Sequence, residues 1–146
     1  MDLAGILDRI PYLRVHHLEA REDPGGAVTL RMPLSETVTN HVGIVHAGAL
    51  FTAAETAAGV AAWRVIAGDR AFVLLRGATV RYTRRAEGDV VARASVDSAI
   101  AGVARGAFDE AGRADVTVEV NATDPAGETV FEGSFDYALR PGRAST

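Results

Sequence analysis

Asn40-His41-Val42-Gly43-Ile44-Val45-His46-Ala47-Gly48-Ala49-Leu50-Phe51-Thr52-Ala53-Ala54-Glu55-Thr56-Ala57-Ala58-Gly59 passes from a polar loop into a run of small apolar residues that holds one carboxylate. From Ala47 to about Ala67 the residues are apolar on nearly every helical face, broken only by Thr52, Glu55, Thr56 and Arg64. A helix of that kind is buried on most sides. At 1.5 Å per residue it is about 30 Å long and crosses a small domain from edge to edge. Its many alanines let other backbones approach closely.

The carboxylate needs an explanation, because an ionised group in apolar surroundings is costly unless it is paired. Three and four positions away stand Phe51, Thr52, Ala58 and Gly59, so no intrahelical cation can pair with Glu55. Either Glu55 serves chemistry, or it is a structural acid paired to Arg76 or another arginine from elsewhere in the chain.

The start of the same helix offers a second chemical feature. His46, Ala47, Gly48 and Ala49 present backbone N–H groups without helical partners, in a partly positive field and beside small side chains. Such a tip is either an oxyanion hole or an ordinary capped helix in a crowded loop. Ala47 and Glu55 lie eight residues apart, roughly 12 Å along the axis. One reacting carbonyl needs its donors and its attacking group within about 3 Å. If both features serve one reaction, they come from different chains, with two helices antiparallel in a symmetric dimer.

Outward from this helix the pattern is mainly that of strands. Leu3, Ile6, Leu7 and Ile10 have helical spacing that Pro11 ends. Val15–Glu19 and Ala27–Met32 flank the turn signal Asp23-Pro24-Gly25-Gly26 and read as a hairpin. Pro33 to Gly43 reads as loop. Further strands are expected from Phe72 to Tyr82, over Val90–Val96, around Val116, Val118 and Val120, and from Thr129 to Arg140, where Phe131, Phe135, Tyr137 and Leu139 share a face. Between them Ile100, Val103, Ala104, Ala107, Phe108 and Ala111 space an amphipathic helix that stops at Gly112. The end of the chain, 140–146, reads as a disordered tail. The expected fold class is α+β: an antiparallel sheet around one long central helix, in a single domain spanning 1–146.

Composition narrows the functions. The chain has 146 residues, 48% of them hydrophobic, enough for one well-buried core and too few for two ordinary domains. A net charge of −4 gives no electrostatic case for nucleic acid or an anionic membrane as partner. No cysteine is present, which removes disulfides, thiolate nucleophiles and thiolate metal sites. No secretory signal pattern opens the chain, and no uncharged apolar run reaches the ~18–20 residues that span a bilayer, so a cytoplasmic protein is expected. His16 and His17 are adjacent and would face opposite ways on a strand, without further ligands at metal spacing. No metal or cofactor is expected.

The pattern Asn-x5-His-Ala-Gly-Ala-Leu-x4-Glu-x-Ala-x-Gly, from Asn40 to Gly59, resembles the active-site loop and helix of hotdog-fold acyl-CoA thioesterases. The likeness is to the phenylacetate-pathway-like group and a related bacterial branch. The segment from Ala78 to Asp89 also resembles the corresponding segment beyond the helix in that family. The resemblance implies a curved antiparallel sheet wrapped around the central helix, in a homodimer or a dimer of dimers. It implies that Glu55 is the nucleophile or the general base. It gives the Ala47 backbone, with Gly48 beside it, the role of polarising the thioester carbonyl from the partner subunit. Asn40 and His46 would orient water and hold the loop. Thr79, Arg81, Arg84 and Arg85 become candidates for substrate contact, the arginines toward the phosphates of coenzyme A. Two departures stand out: the family often has glycine where Ala47 stands, and Arg84-Arg85-Ala86 lacks the proline of the RPA-like ending. A non-catalytic acyl-CoA or small-ligand binder is the rival reading. A dehydratase ranks last, because the His-Phe-Pro and Pro-Gly-Val signatures are missing.

Overall fold

The computed structural model describes residues 2–21, 23–66 and 70–142. In chain order the elements are α1 (Leu3–Asp8), a 3₁₀ turn (Pro11–His16), β1 (Glu19–Arg21), β2 (Val28–Met32), a second 3₁₀ turn (Glu36–Val38) and α2 (Ala47–Val65). They continue with β3 (Ala71–Tyr82), β4 (Val90–Ser95), α3 (Ser98–Ala111), β5 (Ala114–Thr123) and β6 (Thr129–Pro141). The six strands form one antiparallel sheet in the order β1-β2-β4-β5-β6-β3.

α2 lies against the inner face of this sheet and packs on β2, β3, β4, β5 and β6. Its alanines make that possible: Ala53, Ala54, Ala57, Ala58 and Ala62 are essentially inaccessible, and each brings the helix axis closer to the strands than a longer side chain could. The strands answer with alternating large residues. Leu30 and Met32 of β2, Val116, Val118 and Val120 of β5, and Phe131, Phe135, Tyr137 and Leu139 of β6 all point inward. Phe131 and Phe135 stack with centroids 6.4 Å apart across Gly133. A Cβ at Gly133 would lie 2.7 Å from the Phe135 ring, so this glycine keeps the stack in place.

The central helix, the four long strands and the turn at Asp23 stand where the sequence places them. Four details differ. Val15 and His16 belong to the first 3₁₀ turn, because Pro11 starts a helical turn that the alternation of the following residues does not disclose; the hairpin's first strand is the short Glu19–Arg21. The Pro33–Gly43 loop contains the second 3₁₀ turn. α3 forms as expected and ends at Gly112 with φ 68°, yet it buries Ala101, Ala104 and Phe108 and leaves Ile100 and Val103 in solvent. The real face is therefore rotated from the one that included Ile100 and Val103. Finally, β6 runs through Pro141, which pairs with Ala71, and the Gly142 N–H donates to the Arg70 carbonyl. The chain is thus held up to Gly142, where the sequence suggests a loose tail; 143–146 lie outside the described residues.

Candidate active site

Glu55 sits near the middle of α2 and is half-buried on the wall of a cavity of about 660 Å³. Phe51, Val60 and Trp63 of the same helix line the cavity, together with Val73 and Leu75 of β3 and Tyr137 of β6. Its remaining side is the N-terminal segment, through Ile6, Arg9, Ile10, Tyr12 and Leu13. Lining of this kind, largely apolar with a few polar groups, suits an acyl chain.

The arginine pairing considered for Glu55 is not formed among the described residues. Arg76 Nη1 faces Asp115 Oδ2 at 3.5 Å, and among the described residues Glu55 forms no ion pair. Its partner is a neutral donor, Tyr137, whose hydroxyl lies 2.9 Å from Glu55 Oε1 and 3.0 Å from the Glu55 carbonyl oxygen. Burial first, then the Glu55 charge and the hydrogen bond, push the Tyr137 phenol far above its ordinary range, so it stays a donor. Thr52 and Thr56 satisfy their hydroxyls on the helix itself, on the carbonyls of Gly48 and Thr52. Tyr12 reaches across to Thr52 Oγ1 at 3.3 Å.

The helix tip lies elsewhere. His46 is the N-cap, and its Nδ1 accepts the Gly48 N–H at 2.8 Å. The capped amide is thereby occupied, and the Ala47 N–H is the exposed donor left at the tip. Tyr82 Oη donates to the Ala47 carbonyl at 3.1 Å and anchors the first turn to β3. Asn40 serves the loop: its Oδ1 accepts the amides of Val42 and Ile44 at 3.1 and 3.3 Å, closing a turn in which Gly43 takes φ 78°.

A second cleft, of about 380 Å³, joins Asn40, Ala47, Tyr82, Arg84 and Arg85. The proposed site residues therefore fall into two groups within one chain: Glu55 in the large cavity, and Asn40, Ala47, Arg84 and Arg85 around the helix tip. Arg84 also pairs with Glu128 at 3.4 Å. Thr79 and Arg81 belong to neither: they pair in register with Ser134 and Glu132 of β6 and are exposed on the other face of β3. His16 is buried in the 3₁₀ turn with Nδ1 unpartnered, while His17 is exposed. Among the described residues no group of His, Asp or Glu is arranged to hold a metal ion.

Two contributions to the cavity were not marked by the sequence. Tyr137 reads as one more inward residue of β6, although a buried phenol always raises the question of its partner. The N-terminal wall carries no polar motif, and only the tertiary fold brings it to Glu55.

Comparison with known proteins agrees with this architecture. The family model described as a domain of unknown function, DUF4442, matches residues 3–139. PA5026 of Pseudomonas aeruginosa, a protein of unknown function named a probable thioesterase, has a crystal structure similar to this one with a TM-score of 0.81. Its identity is 32%, over 92% of this chain and 89% of its own. The thioesterase HI1161 of Haemophilus influenzae superposes with a TM-score of 0.80 at 13% identity, covering 99% of this chain and 94% of its own. The Staphylococcus aureus thioesterase SAV0944, in the form of a glutamine-to-alanine mutant, superposes at 0.74 with 17% identity, over 90% of this chain and all of its own. At those two identities the likeness is one of fold. No curated protein matches the sequence. The chain belongs to the DUF4442 family, and its structural neighbours named thioesterases are consistent with the hotdog-fold thioesterase superfamily. No helix among the described residues is long and apolar enough to cross a membrane.

Proposed function

We propose that the protein hydrolyses an acyl-CoA thioester, with Glu55 of one subunit and the Ala47 amide of its partner acting on the same carbonyl. The observation that carries this reading is Glu55 itself: a carboxylate on the wall of a largely apolar cavity that Arg9 also lines, held by a phenol and in no ion pair among the described residues. A structural acid would be expected to end in an ion pair.

In the general-base route Glu55 takes a proton from water as the water oxygen bonds to the thioester carbon. Negative charge builds on the carbonyl oxygen, where the Ala47 N–H stabilises it; one well-placed donor is worth about 2.7–4 kcal/mol in such a role. Collapse re-forms the C=O bond, breaks the C–S bond and releases the thiolate, which takes up a proton. In the nucleophilic route Glu55 attacks the carbon directly and the C–S bond breaks to release the thiolate, which takes up a proton; water then cleaves the resulting anhydride to the free acid and the Glu55 carboxylate. Arg84 and Arg85 line the same cleft as Ala47, which supports assigning them to the phosphates of coenzyme A.

The two-chain requirement has support at the sheet edge. β3 is a terminal strand of twelve residues, Ala71–Tyr82, and it exposes Phe72, Leu74 and Leu75 at 43%, 51% and 40%. A long apolar edge of this kind invites pairing with a second copy. At the opposite edge β1 is three residues long and carries Glu19 and Arg21. Pairing β3 with its symmetry mate gives a homodimer with two equivalent sites; stacking two such dimers gives the tetramer.

Replacing Glu55 by Gln tests the reading with thiol release from a panel of acyl-CoA thioesters. The expected result is a folded protein with turnover reduced at least about 100-fold, in the range that general-base catalysis supplies. Unchanged turnover in E55Q would refute it. A binding role without hydrolysis is the second reading, favoured by the engagement of the Gly48 amide by His46, which leaves one donor at the tip. Saturable acyl-CoA binding with no thiol release from the unaltered protein would establish it.

A further inference from the structure

We infer that Tyr137 is the positioning residue of the Glu55 carboxylate, fixing one of its oxygens so that the other is presented to the cavity. This rests on the reading of Glu55 as the working carboxylate.

Tyr137 stands on β6 and is 2% exposed, yet its hydroxyl reaches across the core to α2 and meets Glu55 twice, at the carbonyl and at Oε1. The carbonyl contact fixes the phenol relative to the helix backbone, and the Oε1 contact fixes the carboxylate relative to the phenol. Together they determine the side-chain rotation of Glu55 from a rigid sheet, which a flexible glutamate lacks on its own. The helix leaves room for this. Gly59, one turn beyond Glu55, has no side chain on that side; a Cβ there would lie 3.4 Å from Tyr137 Oη and 3.7 Å from Glu55 Oε1. A methyl would just touch both groups, and a branched side chain would enter the space the pair occupies.

The bond also has a direction. The phenol can only donate to an ionised carboxylate, and its own ionisation is pushed up by burial and by the Glu55 charge. Oε1 is thus occupied by a donor that does not titrate in the working range. Oε2 is left to meet water or the thioester carbon.

Tyr137→Phe removes the hydroxyl and keeps the ring. Two measurements on the full chain decide the matter. In infrared difference spectra, with Glu55 assigned by subtraction of E55Q, the asymmetric carboxylate stretch of Glu55 shifts in Y137F; an unchanged band overturns the inference whether or not any thioester is turned over. In kinetics, kcat of Y137F falls about 10- to 100-fold, as a misplaced catalytic group costs, with KM within about twofold. In the E55Q background the same change has no further effect on kcat. An equal loss in both backgrounds assigns Tyr137 to packing alone and overturns the inference. Full activity in E55Q would instead sink the catalytic reading of Glu55, and the infrared band would still report on the Tyr137 contact.

Discussion

His46 Nδ1 accepts the Gly48 amide, and this one bond decides which donor remains at the helix tip. The imidazole folds over Gly48 so closely that a Cβ there would lie 3.0 Å from Nδ1, which gives this glycine a physical reason. The sequence drew attention to His46 and Gly48 as participants in chemistry; the geometry makes them first a cap and the residue it caps. His46→Ala should therefore destabilise the protein by about 0.5–2 kcal/mol, the ordinary value of a lost N-cap, measurable as a lower midpoint in urea. Unaltered stability would mean that the cap contributes nothing. Asn40 likewise closes a loop through its own Oδ1, so the turn that delivers the chain to Ala47 is built from side-chain acceptors.

Elements differed in how far the sequence disclosed them. α2 was legible because an Ala-rich run without breakers has one reasonable conformation, and a helix apolar all round has one reasonable location. β5 and β6 were legible through strict alternation, Val116-Val118-Val120 and Phe135-Tyr137-Leu139. The first 3₁₀ turn was not. Tyr12, Leu13, Val15 and His16 fit a strand as well as a turn, and the choice is made by packing against α2, which no local pattern carries. The same tertiary information hid the cavity's N-terminal wall and the pairing of Tyr137 with Glu55, since residues 55 and 137 meet only after six strands have closed. This turn also holds His16. Burial chiefly lowers its proton affinity from the ordinary 6.5, an effect partly offset by the nearby Tyr12 backbone and reinforced by the adjacent His17 charge. At neutral pH both the folded and unfolded chains carry it uncharged. As pH drops through about 6.5 the unfolded chain takes up the proton first, so stability falls. Thermal melts between pH 7.5 and about 5 should show this loss, and His16→Leu should flatten it; an equal slope in the variant would place the pH dependence elsewhere.

For the whole molecule, the separation of the two features proposed to react is the organising observation. Eight residues of helix, about 12 Å, lie between the Ala47 amide and Glu55, and the structure places them in different hollows. On the proposed reading these are two half-sites of one chain, and β3 is a long edge strand on which a second copy would dock. Hydrolysis then requires the half-sites to meet across that edge. Subunit mixing tests it directly. Ala47 is the first residue of α2, where proline removes the N–H without disturbing a helix, and His46 already has the φ −64°, ψ 139° that precedes a proline comfortably. A47P and E55Q should each be nearly inactive as homodimers. After denaturation and refolding together in equal amounts, about half the dimers contain one chain of each kind, and each of these has one intact site. Activity should return to about one quarter of the unaltered protein's. Mixtures that stay as inactive as their components would contradict a site shared between two chains.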